Sequence, residues 1–314
     1  MKNLGRMSTS IDLLRSYDMV FLFPFRGLRD TCSDRIKGAE LMLEKINTIL
    51  FDMDGTLYQD NIFYKDYMKY AAEGTKFENQ LDRLNGFIES IINGDTLQMN
   101  KFYRQDQPPV REIDSLNSAL MSRCVEDDTV GEQMALDGEK SCYMGDMWAV
   151  VRYVAQSLGM LDGDKGLEVF VKTRKAMAER GFDSAKPLIK AINELHGKYR
   201  VLLVTNSYKT TAMEFLKVLG YERNMFDKIV FEACKPVRLL ESLEKFVPGI
   251  LNEPEKLLSI GDHVYNDLLP IKRIGGSILW INPYKNIPAP AICKLSVRTT
   301  DELADFLHSN FVNN

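Results

Sequence analysis

The chain has 314 residues, which is enough for two domains or for one large domain with an insertion. Hydrophobic residues make up 45% and charged residues 27%, as in an ordinary soluble globular protein, and the formal net charge is −4. This balance gives no basic footprint for binding nucleic acid and no polybasic signal for binding a membrane surface.

The cysteines and histidines exclude two further classes of protein. The five cysteines are odd in number and form no C-x-x-C pair, which argues against a disulfide scaffold and favours a reducing, cytoplasmic location. None of the three histidines lies near a second ligand at zinc spacing, so a zinc site is not expected.

Residues 1–45 carry mixed signals and are predicted to form an N-terminal extension that packs on the core. Their longest apolar run, 19–25, contains Pro24 and is too short to cross a bilayer. We expect neither a secretory signal nor a membrane partner.

The first clear element is an apolar run at residues 46–51, which ends abruptly at the sequence DMDGT. This pattern predicts a buried strand followed by a polar turn.

The next stretch, to about residue 183, is mostly helical in its pattern. Helices are predicted at 77–91, 146–159 and 165–180. Asp146 can cap the N-terminus of the second of these helices. Residues 94–110 and 125–145 are polar and rich in turn formers, so they are predicted to be loops.

From about residue 184, short apolar strands alternate with helices. The predicted strands are 201–204, 228–231, 257–260 and 277–281, and the predicted helices are 188–195, 211–219, 239–246, 268–274 and 300–311. Such alternation is typical of a doubly wound α/β fold, in which a parallel sheet has helices on both faces. Sheets of this kind bind ligands at the carboxyl ends of their strands.

Four of the predicted strands are followed by polar clusters at these ends. The clusters are Asp52, Asp54, Gly55 and Thr56; then Thr205, Asn206 and Ser207; then Lys235 before Pro236; and last Asp262, Asn266 and Asp267. Because parallel strands end at the same edge of a sheet, we expect these side chains to meet at one point.

The ordered motifs DMDGT, VTNS, Lys-Pro and GDHVYND resemble those of the haloacid dehalogenase superfamily, whose members are mostly phosphatases. The resemblance covers about residues 46–57 and 184–311. It implies a Rossmann-like catalytic core made of residues 46–59 and 184–314, with residues 60–183 inserted as an α-helical cap domain. Such a cap can close over the strand ends, and we expect it to set the choice of substrate.

The chemistry of these residues agrees with hydrolysis of a small phosphomonoester, a sugar phosphate or a nucleotide monophosphate. Asp52 is the predicted nucleophile, which forms an aspartyl-phosphate, and Asp54 is the predicted general acid and base. The predicted phosphate-binding residues are Gly55, Thr56, Thr205, Asn206 and Lys235. Lys209, just after the second motif, is the alternative to Lys235 as the positive charge.

A metal ion is predicted because the carboxylates outnumber the cations. If all four are ionised, Asp52, Asp54, Asp262 and Asp267 carry −4, and only Lys235 opposes them. Oxygen donors without histidine or thiol favour Mg²⁺. The family pattern implies that the ligands are the Asp52 carboxylate, the Asp54 backbone carbonyl and Asp262, with Asp267 behind them or holding Lys235.

Several alternatives stay open. Asp54 favours a phosphatase over a dehalogenase, because a halide leaves without a proton. A phosphomutase of the same family and a non-catalytic phosphate-binding regulatory protein are the other candidates. The expected partner is a small phosphate ester, with the chain a monomer or a homodimer. Aromatic residues such as Tyr67 and Trp148 are expected to pack in the core of the cap, and the alternative is that they line a substrate pocket.

Overall fold

The computed structural model describes residues 43–60, 62–137, 139–181 and 185–313. Leu41–Asn314 forms one compact unit. The predicted N-terminal extension, residues 1–45, lies almost wholly outside the described residues. No helix within the described ranges is long and apolar enough to cross a bilayer.

A six-stranded parallel sheet organises this unit. The strands of the described residues are β1 (Thr48–Phe51), β2 (Phe102–Arg104), β3 (Cys124–Val125), β4 (Ser141–Tyr143), β5 (Arg200–Val204), β6 (Lys228–Val230), β7 (Leu257–Gly261), β8 (Ser277–Ile281) and β9 (Ser296–Val297). The sheet runs in the order β6-β5-β1-β7-β8-β9, and all its pairs are parallel. This confirms the predicted doubly wound α/β fold.

The register of the sheet brings the site together. Phe51, the last residue of β1, aligns with Leu203 of β5 on one side and with Ile260 of β7 on the other. Every residue of β1, β7 and β8 is buried, because helices cover both faces of the sheet. The polar residues that follow β1, β5 and β7 therefore emerge side by side.

Each predicted helix is present within a few residues of its expected bounds. The helices of the described residues are α1 (Phe63–Ala72), α2 (Leu81–Ile92), α3 (Leu116–Met121), α4 (Asp128–Leu136), α5 (Met147–Ser157), α6 (Lys165–Arg180), α7 (Lys186–Leu195), α8 (Lys209–Leu219), α9 (Leu239–Phe246), α10 (Leu269–Arg273) and α11 (Thr300–Leu307). Of these, α1, α3 and α4 were not predicted. Helices α6 and α9 have the predicted bounds, and α11 continues as a π-helical turn, His308–Val312.

The segment inserted between β1 and β5 is not purely helical. The loops predicted at 94–110 and 125–145 were wrong in part, because β2, β3 and β4 form a small antiparallel sheet and α4 fills most of the second stretch. These strands are only two or three residues long, which is too short to show an alternating pattern.

Candidate active site

Lys235 holds the centre of the site. Its Nζ lies 2.6 Å from Asp52 Oδ1 and 2.7 Å from Asp267 Oδ1, and it donates to the Val204 carbonyl at 2.7 Å. All three charged side chains are buried. Lys209, the alternative cation, is exposed at the start of α8. The structure thus places Lys235, and not Lys209, against the predicted nucleophile.

The residues of the second motif shape this part of the site. Asn206 accepts from the backbone N–H of Lys235 at 2.8 Å and donates from its amide to the Lys235 carbonyl at 3.2 Å. The Thr205 hydroxyl accepts from the Ser207 N–H at 3.0 Å. From the first motif, the Thr56 hydroxyl lies 3.5 Å from Asp52 Oδ2. These contacts hold the loops on which Asp52 and Lys235 lie.

The Asp54 carboxylate contacts a residue that the sequence did not indicate. Arg174, on helix α6 of the insertion, forms a partly buried ion pair with it, and the hydroxyls of Tyr58 and Ser207 each donate to it at 2.6 Å. Burial alone would raise the pKa of Asp54, but the Arg174 charge and the hydrogen bonds from Ser207 and Tyr58 outweigh it and lower the pKa. Asp54 is therefore ionised in this arrangement.

Gly55 and Asp262 fit together closely. Gly55 has φ +78°, a conformation that L side chains rarely adopt. A Cβ at this position would lie 2.0 Å from Asp262 Oδ2, so only glycine leaves room for this carboxylate. The turn after β1 and the motif after β7 thus depend on each other.

Three carboxylates form a set suited to a metal ion. One oxygen from each of Asp52, Asp262 and Asp267 lies within 4.8 Å of the others. Burial raises the pKa of Asp52 to about 8, with Asp267 and Asp54 adding to the rise against the opposing charge of Lys235. Burial and the neighbouring carboxylates Asp146 and Asp52 raise the pKa of Asp262 well above its usual value. Oxygen donors with this excess of negative charge fit a hard divalent cation such as Mg²⁺.

The predicted ligands divide into two groups. The side chains of Asp52, Asp262 and Asp267 lie together, although Asp267 also holds Lys235. The Asp54 side chain turns away to Arg174, which is compatible with the prediction that only its backbone carbonyl faces an ion.

Asp146 is a second site residue that sequence reasoning missed, although it was identified as a helix cap. It does cap α5, accepting from the Ala149 N–H at 2.6 Å. Its charge is also the largest electrostatic contribution raising the pKa of Asp262. The insertion therefore brings one carboxylate, Asp146, and one guanidinium, Arg174, to the core motifs.

A cavity of about 770 Å³ lies over these residues. Asp52, Asp54, Lys235 and Asp262 line one part of it, and residues of the insertion line much of the rest. Trp148 and Tyr67 are among them. Tyr67 also belongs to the hydrophobic core and Trp148 packs against it, so the expectation of core packing is confirmed, and both residues border the cavity as well.

Comparison with known proteins identifies a family for this chain. The family described as haloacid dehalogenase-like hydrolase matches residues 46–275. A search of curated proteins finds no match.

Solved structures show similar chains at low sequence identity. The proposed HAD hydrolase YfnB from Bacillus subtilis, bound to magnesium, is 18% identical, with 83% of this chain and 98% of that chain covered and a TM-score of 0.48. A HAD phosphatase from Thermococcus onnurineus is 17% identical, with 83% and 98% covered and a TM-score of 0.44. A 2-haloacid dehalogenase from Pseudomonas syringae is 15% identical, with 84% and 99% covered and a TM-score of 0.42. At this level of similarity, the substrates of these proteins cannot be assigned to this chain. The family match spans most of the chain and includes all four motifs, so the chain belongs to the haloacid dehalogenase-like hydrolases.

Proposed function

We propose that the chain is a magnesium-dependent phosphatase that hydrolyses a phosphomonoester through an aspartyl-phosphate on Asp52. The observation that carries this proposal is the Asp54 carboxylate, which lies two residues after Asp52, is 17% exposed and has three partners. An alkoxide needs a proton when it leaves, and the attacking water must lose one, whereas a halide needs no proton to leave. A positioned acid and base at Asp54 therefore favours an ester over a haloacid as substrate.

In the first half of the reaction, an Asp52 oxygen attacks phosphorus and the bond to the leaving alcohol breaks. Asp54 donates the proton to that alcohol. A bound phosphate dianion places negative charge near Asp54, which favours its protonated form at this stage. Lys235 stabilises charge on Asp52 and on the phosphoryl oxygens.

In the second half, water attacks the aspartyl-phosphate and inorganic phosphate leaves. Asp54 accepts the proton of this water, for which the ionised state favoured by Arg174, Tyr58 and Ser207 is suited. A divalent ion held by Asp52 and Asp262 supplies positive charge that offsets the excess of carboxylates.

The test measures inorganic phosphate released from an aryl phosphate, with and without Mg²⁺. We expect Mg²⁺-dependent release by the wild type and by Asp82→Asn, which changes an exposed aspartate on α2. We expect Asp52→Asn to lose at least about 10³-fold in rate, because an amide is a poor nucleophile. Phosphate release by Asp52→Asn at the wild-type rate would remove Asp52 as the nucleophile.

The same preparation separates the competing activities. Chloride release from 2-chloropropionate without phosphate release from any ester would make the chain a dehalogenase. Transfer of phosphate between two positions of a sugar bisphosphate, without release, would make it a phosphomutase.

A further inference from the structure

One side of the cavity is a row of aromatic rings that runs from the insertion to the core. Trp148 of α5 lies 5.2 Å from Phe170 of α6, and Phe170 lies 6.2 Å from Tyr208, which follows the second motif. Phe63 stacks on Trp148 at 4.3 Å and supports it from the insertion. Trp148, Phe170 and Tyr208 all line the cavity, so their rings border the space next to the phosphate motifs.

A second aromatic cluster lines the same cavity. Tyr143 of β4 lies 5.4 Å from the His263 ring and 5.5 Å from Tyr265, both of which belong to the fourth motif. A leaving group in the cavity thus meets aromatic rings from both the insertion and the core.

Large apolar side chains are also exposed around this cavity. Leu136, Leu167, Tyr208 and Val237 line it, yet they are 43%, 51%, 47% and 50% exposed. They come from two helices of the insertion and from two loops of the core. Single exposed apolar residues are ordinary, but four that border one cavity form an apolar patch suited to a ligand.

Two polar side chains of this part of the cavity already have partners inside the protein. The Gln105 amide donates to the carbonyls of Glu139 and Ser141, and the Ser141 hydroxyl donates to the Gly131 carbonyl. Outside the four motifs and Asp146, the other polar lining residues are the exposed Glu139, Arg152 and Gln156, and aromatic and apolar residues outnumber them. A polyhydroxylated leaving group needs many matched hydrogen bonds, and those left unmade would cost binding free energy.

We infer that the leaving group of the substrate is a bulky alcohol with an apolar, ring-bearing part that fills the aromatic cavity, and not a sugar. This inference rests on the proposed phosphatase activity and narrows its substrate class. The phosphoryl group meets the aspartates and Lys235, while the ring meets Trp148, Phe170 and Tyr208.

The test compares 2-phenylethyl phosphate with glycerol 3-phosphate and glucose 6-phosphate. All three are esters of primary alcohols, so their reactivities are similar and the contacts of the leaving group dominate the comparison. We expect kcat/KM to be at least about tenfold higher for 2-phenylethyl phosphate, as burial of one ring allows. Equal values, or higher values for the two polar esters, would overturn the inference while leaving the phosphatase intact.

Two variants on helix α6 test whether the preference for the ring-bearing ester comes from the side chains that line the cavity. Leu167→Ala removes an apolar side chain from the cavity, whereas Val171→Ala changes a 45% exposed residue of α6 that does not line it. We expect Leu167→Ala to lower kcat/KM for 2-phenylethyl phosphate about three- to tenfold and to leave glycerol 3-phosphate nearly unchanged. Val171→Ala should change neither. Equal losses for both esters, or for both variants, would contradict the assigned contact.

Binding to Asp52→Asn in the presence of Mg²⁺ decides the inference independently of turnover. Calorimetry measures the affinity for 2-phenylethyl phosphate and for glycerol 3-phosphate. Tighter binding of 2-phenylethyl phosphate would support the inferred leaving group even if neither ester is hydrolysed. In that case only the phosphatase proposal fails. Equal or weaker binding would overturn the inference.

Discussion

At the scale of single residues, Lys235 is the one cation among the described residues that forms an ion pair with Asp52 and Asp267. It lies within 2.7 Å of both Asp52 and Asp267, and all three side chains are buried. Burial lowers the pKa of Lys235, but the two carboxylates more than offset this and keep it charged. Removing this cation would leave two buried carboxylates without a counter-charge.

We therefore expect Lys235→Met to lose activity and stability together. The predicted fall in kcat/KM is at least about 100-fold. The free energy of unfolding, measured with denaturant, should fall by about 3 to 5 kcal/mol in the metal-free protein. Lys209→Met, at the exposed start of α8, is the control and should change both quantities little. A comparable loss in the two variants would show that the position of Lys235 is not special.

Arg174 forms an ion pair with Asp54, as Lys235 does with Asp52. The contribution of the Arg174 ion pair to the free energy of unfolding depends on pH. Because the pKa of Asp54 is lowered in the folded protein, the stability that this interaction contributes is present above the unfolded pKa of about 3.9 and is lost as pH falls through the folded value. In Arg174→Met, burial is no longer opposed by this charge, so Asp54 should take up a proton more readily.

We expect Arg174→Met to lower the free energy of unfolding by about 3 kcal/mol at pH 7 and by clearly less near pH 4. Arg180→Met is the control on the same helix, since Arg180 pairs with Asp60 and Asp66 but is about one-third exposed. Its cost should be about 1 kcal/mol or less. Denaturant unfolding at both pH values measures the difference, and a cost for Arg174→Met that does not shrink at low pH would contradict the role of the Asp54 charge.

At the scale of elements, amphipathic helices and buried strands were predictable and the small inserted sheet was not. Helix α6 follows its apolar pattern to both ends, whereas Gly131 is the only buried residue of helix α4. A Cβ at Gly131 would lie 2.5 Å from the Phe102 side chain, so close packing against β2 requires a glycine there. In the sequence a glycine on a polar helix resembles a turn, which is why this stretch was predicted to be a loop.

The residues of the site also divide into those that could be predicted from the sequence and those that could not. Asp52, Thr205 and Asp262 were predictable because each follows a strand of one parallel sheet. Arg174 and Asp146 reach the site from helices of the insertion, and only the packing of those helices against the core decides where their side chains point. No local pattern in the sequence carries that information.

Asp146 has two roles that substitution can separate, because asparagine also caps helices but carries no charge. Asp146→Asn should keep α5 capped and leave the metal-free protein as stable or slightly more stable, since one repelling charge is gone. Asp146→Ala should be about 1 kcal/mol less stable than Asp146→Asn. Thermal unfolding measures this difference, and equal stability of the two variants would mean that the cap contributes nothing.

Both Asp146 variants should bind Mg²⁺ several-fold more weakly than the wild type and to a similar extent, because both lose the same negative charge near Asp262. Titration of Mg²⁺ by calorimetry provides the measurement. Unchanged affinity would show that this charge of the insertion does not act on the metal site.

At the scale of the whole molecule, the cluster of carboxylates opposes folding wherever it is ionised and has no metal ion. The folded pKa of Asp52, about 8, lies above that of an unfolded aspartate, and Asp262 and Asp146 are shifted in the same direction. Stability from these groups is therefore fully present below the unfolded pKa and is lost as pH rises through the folded values. A bound divalent ion replaces the protons and removes this loss.

We therefore expect Mg²⁺ to raise the melting temperature more at pH 8 than at pH 5, because protons compete with the ion for the same carboxylates. The comparison of Tm with and without Mg²⁺ at each pH cancels the titration of other groups. In Asp262→Asn the metal-free protein should be more stable than the wild type at pH 8, since one repelling charge is gone. The rise in Tm on addition of Mg²⁺ should nearly vanish in this variant, because one of the three carboxylates is lost. A Mg²⁺ increment that is the same at both pH values, or that survives in Asp262→Asn, would mean that the ion stabilises the protein at another place. The metal site would then have to be sought away from the ends of β1 and β7.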